Sequence, residues 1–139
     1  MPVNREFTLA VHSLLFLDAK PERYARSAEI ASSAQAHPVQ VRKVLSVLRD
    51  CGYVESKEGI GGGFSLKGDS SRINLWDIYQ VTAEGTLRPK GAEEKVSYSL
   101  HSSTNTLLSI IFTDAEEHLG DFLKNYTIAD LSDLWDKSR

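Results

Sequence analysis

The side chains best placed for chemistry lie between Ser27 and Leu66. The run His37-Pro38-Val39-Gln40-Val41-Arg42-Lys43-Val44-Leu45-Ser46-Val47-Leu48 mixes apolar and polar residues at helical spacing. Projected on a helix, Val39, Gln40, Arg42, Lys43, Ser46 and Asp50 lie opposite a stripe of Val41, Leu45 and Leu48. That polar face suits a DNA duplex. A glutamine pairs bidentately with adenine, arginine and lysine meet guanine or phosphate, and a valine methyl meets a thymine methyl. The free N–H groups at the start of such a helix also favour phosphate. Taken alone, the same stripe also fits an ordinary solvated face.

The second constellation is Gly59-Ile60-Gly61-Gly62-Gly63. It lacks the lysine and hydroxyl of a phosphate-binding loop, and the dinucleotide fingerprint fails because position 64 is Phe. It reads as the turn of a hairpin, with a tip bare enough to approach a DNA backbone or minor groove. Lys57 and Lys67 are expected to flank that tip and hold phosphates, with Glu58 beside them. Arg26 and Ser27 stand just ahead of the helix pair and join the candidate contacts, as do Gly61 and Gly62.

The flanking pattern supplies the elements that must hold these residues. Phe7, Ala10, Val11, Leu14 and Leu15 give one apolar face to a helix over 4–18, capped by Asn4. A second helix over 27–34, capped by Ser27, buries Ile30 and Ala31. A tight turn over 35–37 follows, and Pro38 opens the third helix, 38–51, with His37 as its cap. Gly52 ends it. Strands are predicted over 53–56 and 64–67, and a short helix over 75–81 is capped by Asn74. Residues 85–103 read as a linker, 104–123 as a long amphipathic helix, and 128–135 as a last short one. This divides the chain into a unit over 1–84, the linker, and a C-terminal part over 104–139. Leu108, Ile111, Phe112, Ala115, Leu119 and Phe122 form one face of the long helix, suited to packing against a second copy.

Other groups point less sharply. Cys51, at the end of the third helix, is expected to be a small buried core residue, the alternative being a thiol redox sensor with Arg49 lowering its pKa. Asp114, Glu117, His118 and Asp121 share a helical face that reads as solvated, with a divalent metal as the alternative. His12, His37 and His101 show no ligand spacing. Trp76, Tyr79, Phe112 and Trp135 are expected in core and dimer packing, or else around an unknown effector. No nucleophile–base–orienter set is present, so an enzyme is not expected.

Composition sets the frame. The 139 residues are 41% hydrophobic and 25% charged, as in an ordinary globular protein. No apolar run approaches the ~20 residues needed to span a bilayer. Leu9 to Leu17 contains His12 and Ser13 and has no cleavage site, so no signal peptide is expected, and one cysteine suits a reducing cytoplasm. The net charge of −3 is unevenly spread. Residues 1–72 carry 10 Lys and Arg against 8 Asp and Glu, whereas residues 73–139 carry 6 against 11. The surplus of positive charge coincides with the candidate contacts, where local potential decides phosphate binding.

Four runs carry a resemblance: Ser27-Ala28-Glu29-Ile30-Ala31, Leu45-x-x-Leu48, Gly52-Tyr53-Val54-Glu55-Ser56, and Gly59-x-Gly61-Gly62-Gly63-Phe64-x-Leu66. Together they resemble the bacterial "Rrf-two" family of repressors, over nearly the whole chain. The resemblance implies a mainly α (α+β) winged helix-turn-helix with a two-stranded wing and a long C-terminal dimerisation helix. It implies a homodimeric repressor that contacts double-stranded operator DNA through the third helix and the wing. By position, the helix contacts fall on Pro38, Gln40, Val41, Lys43 or their neighbours. Many members of that family carry an arginine where this chain has Glu58. Cluster-binding members hold three cysteines between the short and long helices, whereas this chain has none from Gly85 to Thr104. No iron–sulfur cluster, other cofactor or metal is therefore expected. A winged helix serving only as a protein-docking module is the alternative from a different class.

Overall fold

The computed structural model describes residues 5–85, 87 and 100–138, with side chains in the last stretch from residue 103. Asn4 and most of the stretch 85–103 lie outside the described residues.

The first helix, α1 (Arg5–Ala19), is the central element. Leu9, Ala10, Leu14 and Leu17 are buried along it, and it packs against α2 (Ser27–Ala34), α3 (Pro38–Asp50), α4 (Leu75–Thr82) and α6 (Ile128–Ser138). Its partners contribute Ile30, Val41, Leu45, Leu48, Ile78 and Ile128, each fully buried in one apolar cluster. The predicted helices α2 and α3 thus appear with the expected faces inward. Gln35 takes the left-handed conformation (φ 53°) that closes α2 and reverses the chain into α3.

Two local details differ from expectation. Ser27 does not cap α2, because Arg26 holds the extended cap position and Glu29 Oε1 accepts from the Arg26 backbone N–H at 3.3 Å. Cys51 is exposed rather than buried. The helix ends at Asp50, where Tyr53 N–H reaches Leu48 O (2.9 Å) and Gly52 N–H reaches Arg49 O (2.9 Å). With Gly52 at φ 87°, this is a Schellman closure. Tyr53 then packs against the core.

The strands β2 (Val54–Lys57) and β3 (Gly63–Leu66) form the expected hairpin, each displaced by one residue from the predicted limits. A two-residue strand, β1 (Tyr24–Ala25), adds to β3, so the sheet has three antiparallel strands in the order β1-β3-β2 rather than the two of the wing alone. Its register pairs Tyr24 with Ser65 and Ala25 with Phe64. Two residues between Arg23 and Arg26 carry too short a pattern to be read as a strand.

Beyond the wing, a 3₁₀ turn (Ser70–Arg72) leads to α4, whose cap is Asn74 as expected, Oδ1 accepting from Asp77 N–H at 2.9 Å. The long helix α5 runs Leu100–Leu123, four residues earlier than predicted. Ser102, Ser103 and Thr104 are poor helix formers and disguise its start. The chain then returns: Leu75 N–H bonds Tyr126 O, and Ile128 N–H bonds Ile73 O, both at 2.9 Å. The helix α6 packs on α1 and the 3₁₀ turn, with Ser132 Oγ donating to Asp18 Oδ2 at 2.7 Å.

His12, on α1, shares a 2.9 Å hydrogen bond between its Nε2 and Ser33 Oγ, and partial burial lowers its pKa from the ordinary 6.5. Folding therefore favours the neutral ring, and its contribution is complete above pH 6.5 and lost as pH falls through the lowered value. Thermal unfolding from pH 7.5 to 5 should show a steeper loss of stability for the wild type than for His12→Asn. Parallel curves would remove His12 from the acid response.

Candidate nucleic-acid interface

The helix α3 is amphipathic because its two faces have different partners. Val41, Val44, Leu45 and Leu48 are at most 3% exposed, so the opposite face points outward. Val39 (57% exposed), Gln40, Arg42 and Lys43 all project from it, and Ser46 is half-buried with its Oγ donating to Arg42 O at 2.8 Å. Pro38 stands at the first helical position, and His37 caps the end, Nδ1 accepting from Val39 N–H at 3.3 Å. Asp50 is exposed at the far end and pairs with Arg49 (3.6 Å).

The wing lies beside this face. An open groove of about 470 Å³ is lined by Arg26, Ser27 and Ala28 at the start of α2, by Arg42, Ser46 and Arg49 along α3, and by Ser56 to Gly59 and Gly62 to Phe64 from the hairpin. The structure thus brings together six of the predicted contacts, Arg26, Ser27, Arg42, Ser46, Lys57 and Gly62. Four cations line the groove against one carboxylate, Glu58. Arg49 was not among the predicted contacts. Its signal was present in the sequence, since Arg42, Ser46 and Arg49 recur at i, i+4 and i+7.

Other predicted contacts stand apart from the groove. Val39, Gln40 and Lys43 are exposed on α3 but do not line it. Lys43 Nζ lies 3.4 Å from Glu6 Oε1 of α1, both side chains largely exposed. Gly61 is exposed at the wing tip. Lys67 does not flank the tip: Lys57 pairs with Gly63 beside it, whereas Lys67 follows β3 at the hairpin base, its N–H on Tyr53 O at 3.0 Å.

The glycines fit the wing to the body. A Cβ on Gly63 would sit 2.6 Å from Ala25 O and 2.8 Å from the Tyr24 ring, so no other residue lets the hairpin pack this closely on β1. Tyr24 also donates its hydroxyl hydrogen to Gly61 O, which fastens the tip.

The remaining candidates resolve differently. Trp76 stacks on Tyr79 (5.4 Å between ring centroids), and a Cβ on Gly120 of α5 would meet the Trp76 ring at 2.6 Å. These aromatics therefore serve the packing of α4 on α5, and Phe112 is half-buried. Trp135, on α6, is 50% exposed. Sequence reasoning missed Glu116, which is buried on α5 and accepts from the Tyr79 hydroxyl (2.9 Å) and Gly85 N–H (2.8 Å). Asp114, Glu117, His118 and Asp121 are exposed. The Asp114 carbonyl and carboxylate raise the pKa of His118 from its usual value. Among the described residues no three His, Cys, Asp or Glu side chains form a metal-binding group. No described helix is long and apolar enough to cross a membrane.

Comparison with known proteins adds to this geometry. Residues 3–134 match the family model described as "Rrf2: Iron-dependent Transcriptional regulator". The chain belongs to the Rrf2 family. Protein aau3 of Rhizobium meliloti is 28% identical over 132 residues, 94% of this chain and 84% of its own. YwnA of Bacillus subtilis, a candidate HTH-type transcriptional regulator, is 34% identical over 81 residues, 57% of each chain. A candidate transcriptional regulator of Lactobacillus plantarum has the same fold, with TM-score 0.79 and 30% identity over 96% of this chain and 91% of that one. The IscR of T. potens shares the fold at TM-score 0.71 and 21% identity, covering 100% of this chain and 91% of its own.

This Rrf2-family chain is thus a winged-helix, DNA-binding transcriptional regulator and not an enzyme. The family description mentions iron. An iron–sulfur cluster needs several thiolates, and this chain has one cysteine, exposed at the end of α3. Its residues do not fit such a cluster.

The contact between Lys43 and Glu6 has a measurable consequence. An exposed pair of this kind is worth under about 1 kcal/mol. Removing the carboxylate frees Lys43 and lowers local negative charge. Glu6→Gln should tighten duplex binding at low salt by at most about fivefold, with the gain fading above 0.2 M. Unchanged or weaker binding at low salt would show that Glu6 does not compete with phosphate.

Proposed function

We propose that the chain is a homodimeric, sequence-specific transcriptional repressor of the cytoplasm. Each protomer lays α3 in a major groove and rests its glycine-rich wing on the adjoining backbone. The observation that carries this reading is the meeting of the outward face of α3 with the wing in one groove lined by Arg26, Arg42, Arg49 and Lys57. Phosphate neutralisation by these cations supplies salt-dependent affinity. Gln40 reads adenine, Val39 a thymine methyl, and Arg42 or Lys43 guanine or phosphate.

The helix α5 supports the dimer. Leu107, Ile110 and Ile111 are each more than 60% exposed, and Leu108, Ala115 and Phe122 are exposed beside them. Phe112 and Leu119, grouped with that stripe in the sequence, are half-buried instead. A helix with so broad an open apolar face needs a cover, and an identical helix supplies one. Two reading units, residues 1–84 with α6 packed on them, would then meet half-sites about 34–36 Å apart.

The division of labour is testable on operator fragments selected from a random library. Lys43→Ala should weaken binding to every sequence and reduce the salt slope by about one. Gln40→Ala should relax preference at a single base pair at a cost of about 1–3 kcal/mol. Equal loss at every position in both variants would contradict the division. A wild type that shifts no duplex even at low salt would leave only a docking module. Independently, Ile111→Glu should convert a sedimenting dimer to a monomer while leaving the helical circular dichroism intact. A dimer that survives this change would place the interface elsewhere.

A further inference from the structure

The wing tip carries one feature that phosphate contact does not use. Ile60 is fully exposed, at 104% of the reference value, and no other described large hydrophobic is as open. A solitary surface isoleucine usually needs no explanation. This one stands at the apex of a projecting hairpin between Gly59 and Gly61, so no neighbouring side chain shields it. The apex is also braced. Gly62 N–H bonds Gly59 O at 2.9 Å, and Tyr24 holds Gly61 O from β1. A Cβ on Gly62 would clash with Lys57 O and Gly59 O, which shows how tightly the turn is wound. The apolar side chain is thus presented on a fixed support.

Its surroundings say what it meets. Gly59 and Gly62, on either side of the tip, line the same groove as Arg26, Arg42, Arg49 and Lys57. Any duplex held by those cations lies within reach of the tip. Glu58, two residues before Ile60, repels phosphate at the apex itself, which leaves the backbone contact to Lys57 and Gly62 on the flank of the wing and frees Ile60 for another partner. Branched apolar side chains on rigid supports enter the minor groove and wedge between base pairs. We propose that Ile60 is such a wedge: it enters the minor groove beside the α3 site and partly unstacks one base step. Pyrimidine–purine steps such as TA yield most easily, so Ile60 imposes a preference for such a step without a hydrogen bond to any base. This rests on the reading of α3 and the wing as a duplex-binding surface.

The experiment uses the full chain and duplexes it selects from a random library, with 2-aminopurine placed in turn at each position of a half-site. Binding is followed by anisotropy and unstacking by 2-aminopurine fluorescence. The wild type should brighten one step per half-site by several-fold and prefer TA over a GC step there by about tenfold. Ile60→Ala, whose side chain supports no core contact, should bind with α3 specificity intact but lose both the brightening and the TA preference. Ile60→Leu should keep them. If the wild type binds yet brightens no step, or if Ile60→Ala keeps the TA preference, the wedge is overturned while the duplex-binding surface stands. If Ile60→Ala changes only the sedimentation of the free protein, Ile60 meets a second copy instead and the proposal falls. Failure of the wild type to bind any duplex would remove the surface itself and the wedge with it.

Discussion

Val41, Val44, Leu45 and Leu48 of α3 are sealed in one apolar cluster with Leu14 and Leu17 of α1. Everything exposed on α3 takes its direction from that burial. Each such side chain is worth roughly 1.5–3 kcal/mol when removed from water. Rotating α3 by a single residue would trade part of that gain for the burial of Gln40 or Arg42, whose polar groups cost several kcal/mol without partners. The orientation of the polar stripe is thus a by-product of the core. No contact on the outer face is needed to aim it.

The wing is positioned by a different kind of constraint. Its hairpin has little apolar surface, and Val54 and Leu66 are its buried members. Close backbone approach does the rest, with Gly63 against Ala25 and Tyr24 over the tip. The short strand β1 therefore matters more than its two residues suggest, because it joins the wing to the turn ahead of α2. Arg26, next to β1, is carried into the same groove as Arg42 and Lys57. A chain with net charge −3 can in this way present a local cluster of cations.

Where periodicity was strong and contacts were local, the sequence was readable. The limits of α2, the Pro38 start and His37 cap of α3, and the Asn74 cap of α4 depend on neighbouring residues, and all were legible. The errors have a common source in tertiary context. Cys51 continues the apolar stripe of α3 on paper, but the helix closes at Gly52 with Cys51 outside, and Tyr53 is the residue that packs on the core. Lys57 and Lys67 look symmetric about the glycines, yet the register puts them at opposite ends of the hairpin. The apolar stripe of α5 mixes two faces, one toward α4 and one outward, and no local pattern separates them. Nothing local marks Glu116, and only the packing of α4 reveals its partners.

The return of the chain after α5 has its own consequence. Ile128 N–H closes on Ile73 O, and Ser132 bonds Asp18 across 114 positions of sequence. The helix α1 thus depends for part of its cover on α6, far later in the sequence. During synthesis the Asp18 end of α1 lacks this cover until residues 128–132 have emerged, so the closing contact of the fold is among its most distant in sequence. Nascent chains halted inside the 85–103 stretch would expose that seam to passing chaperones.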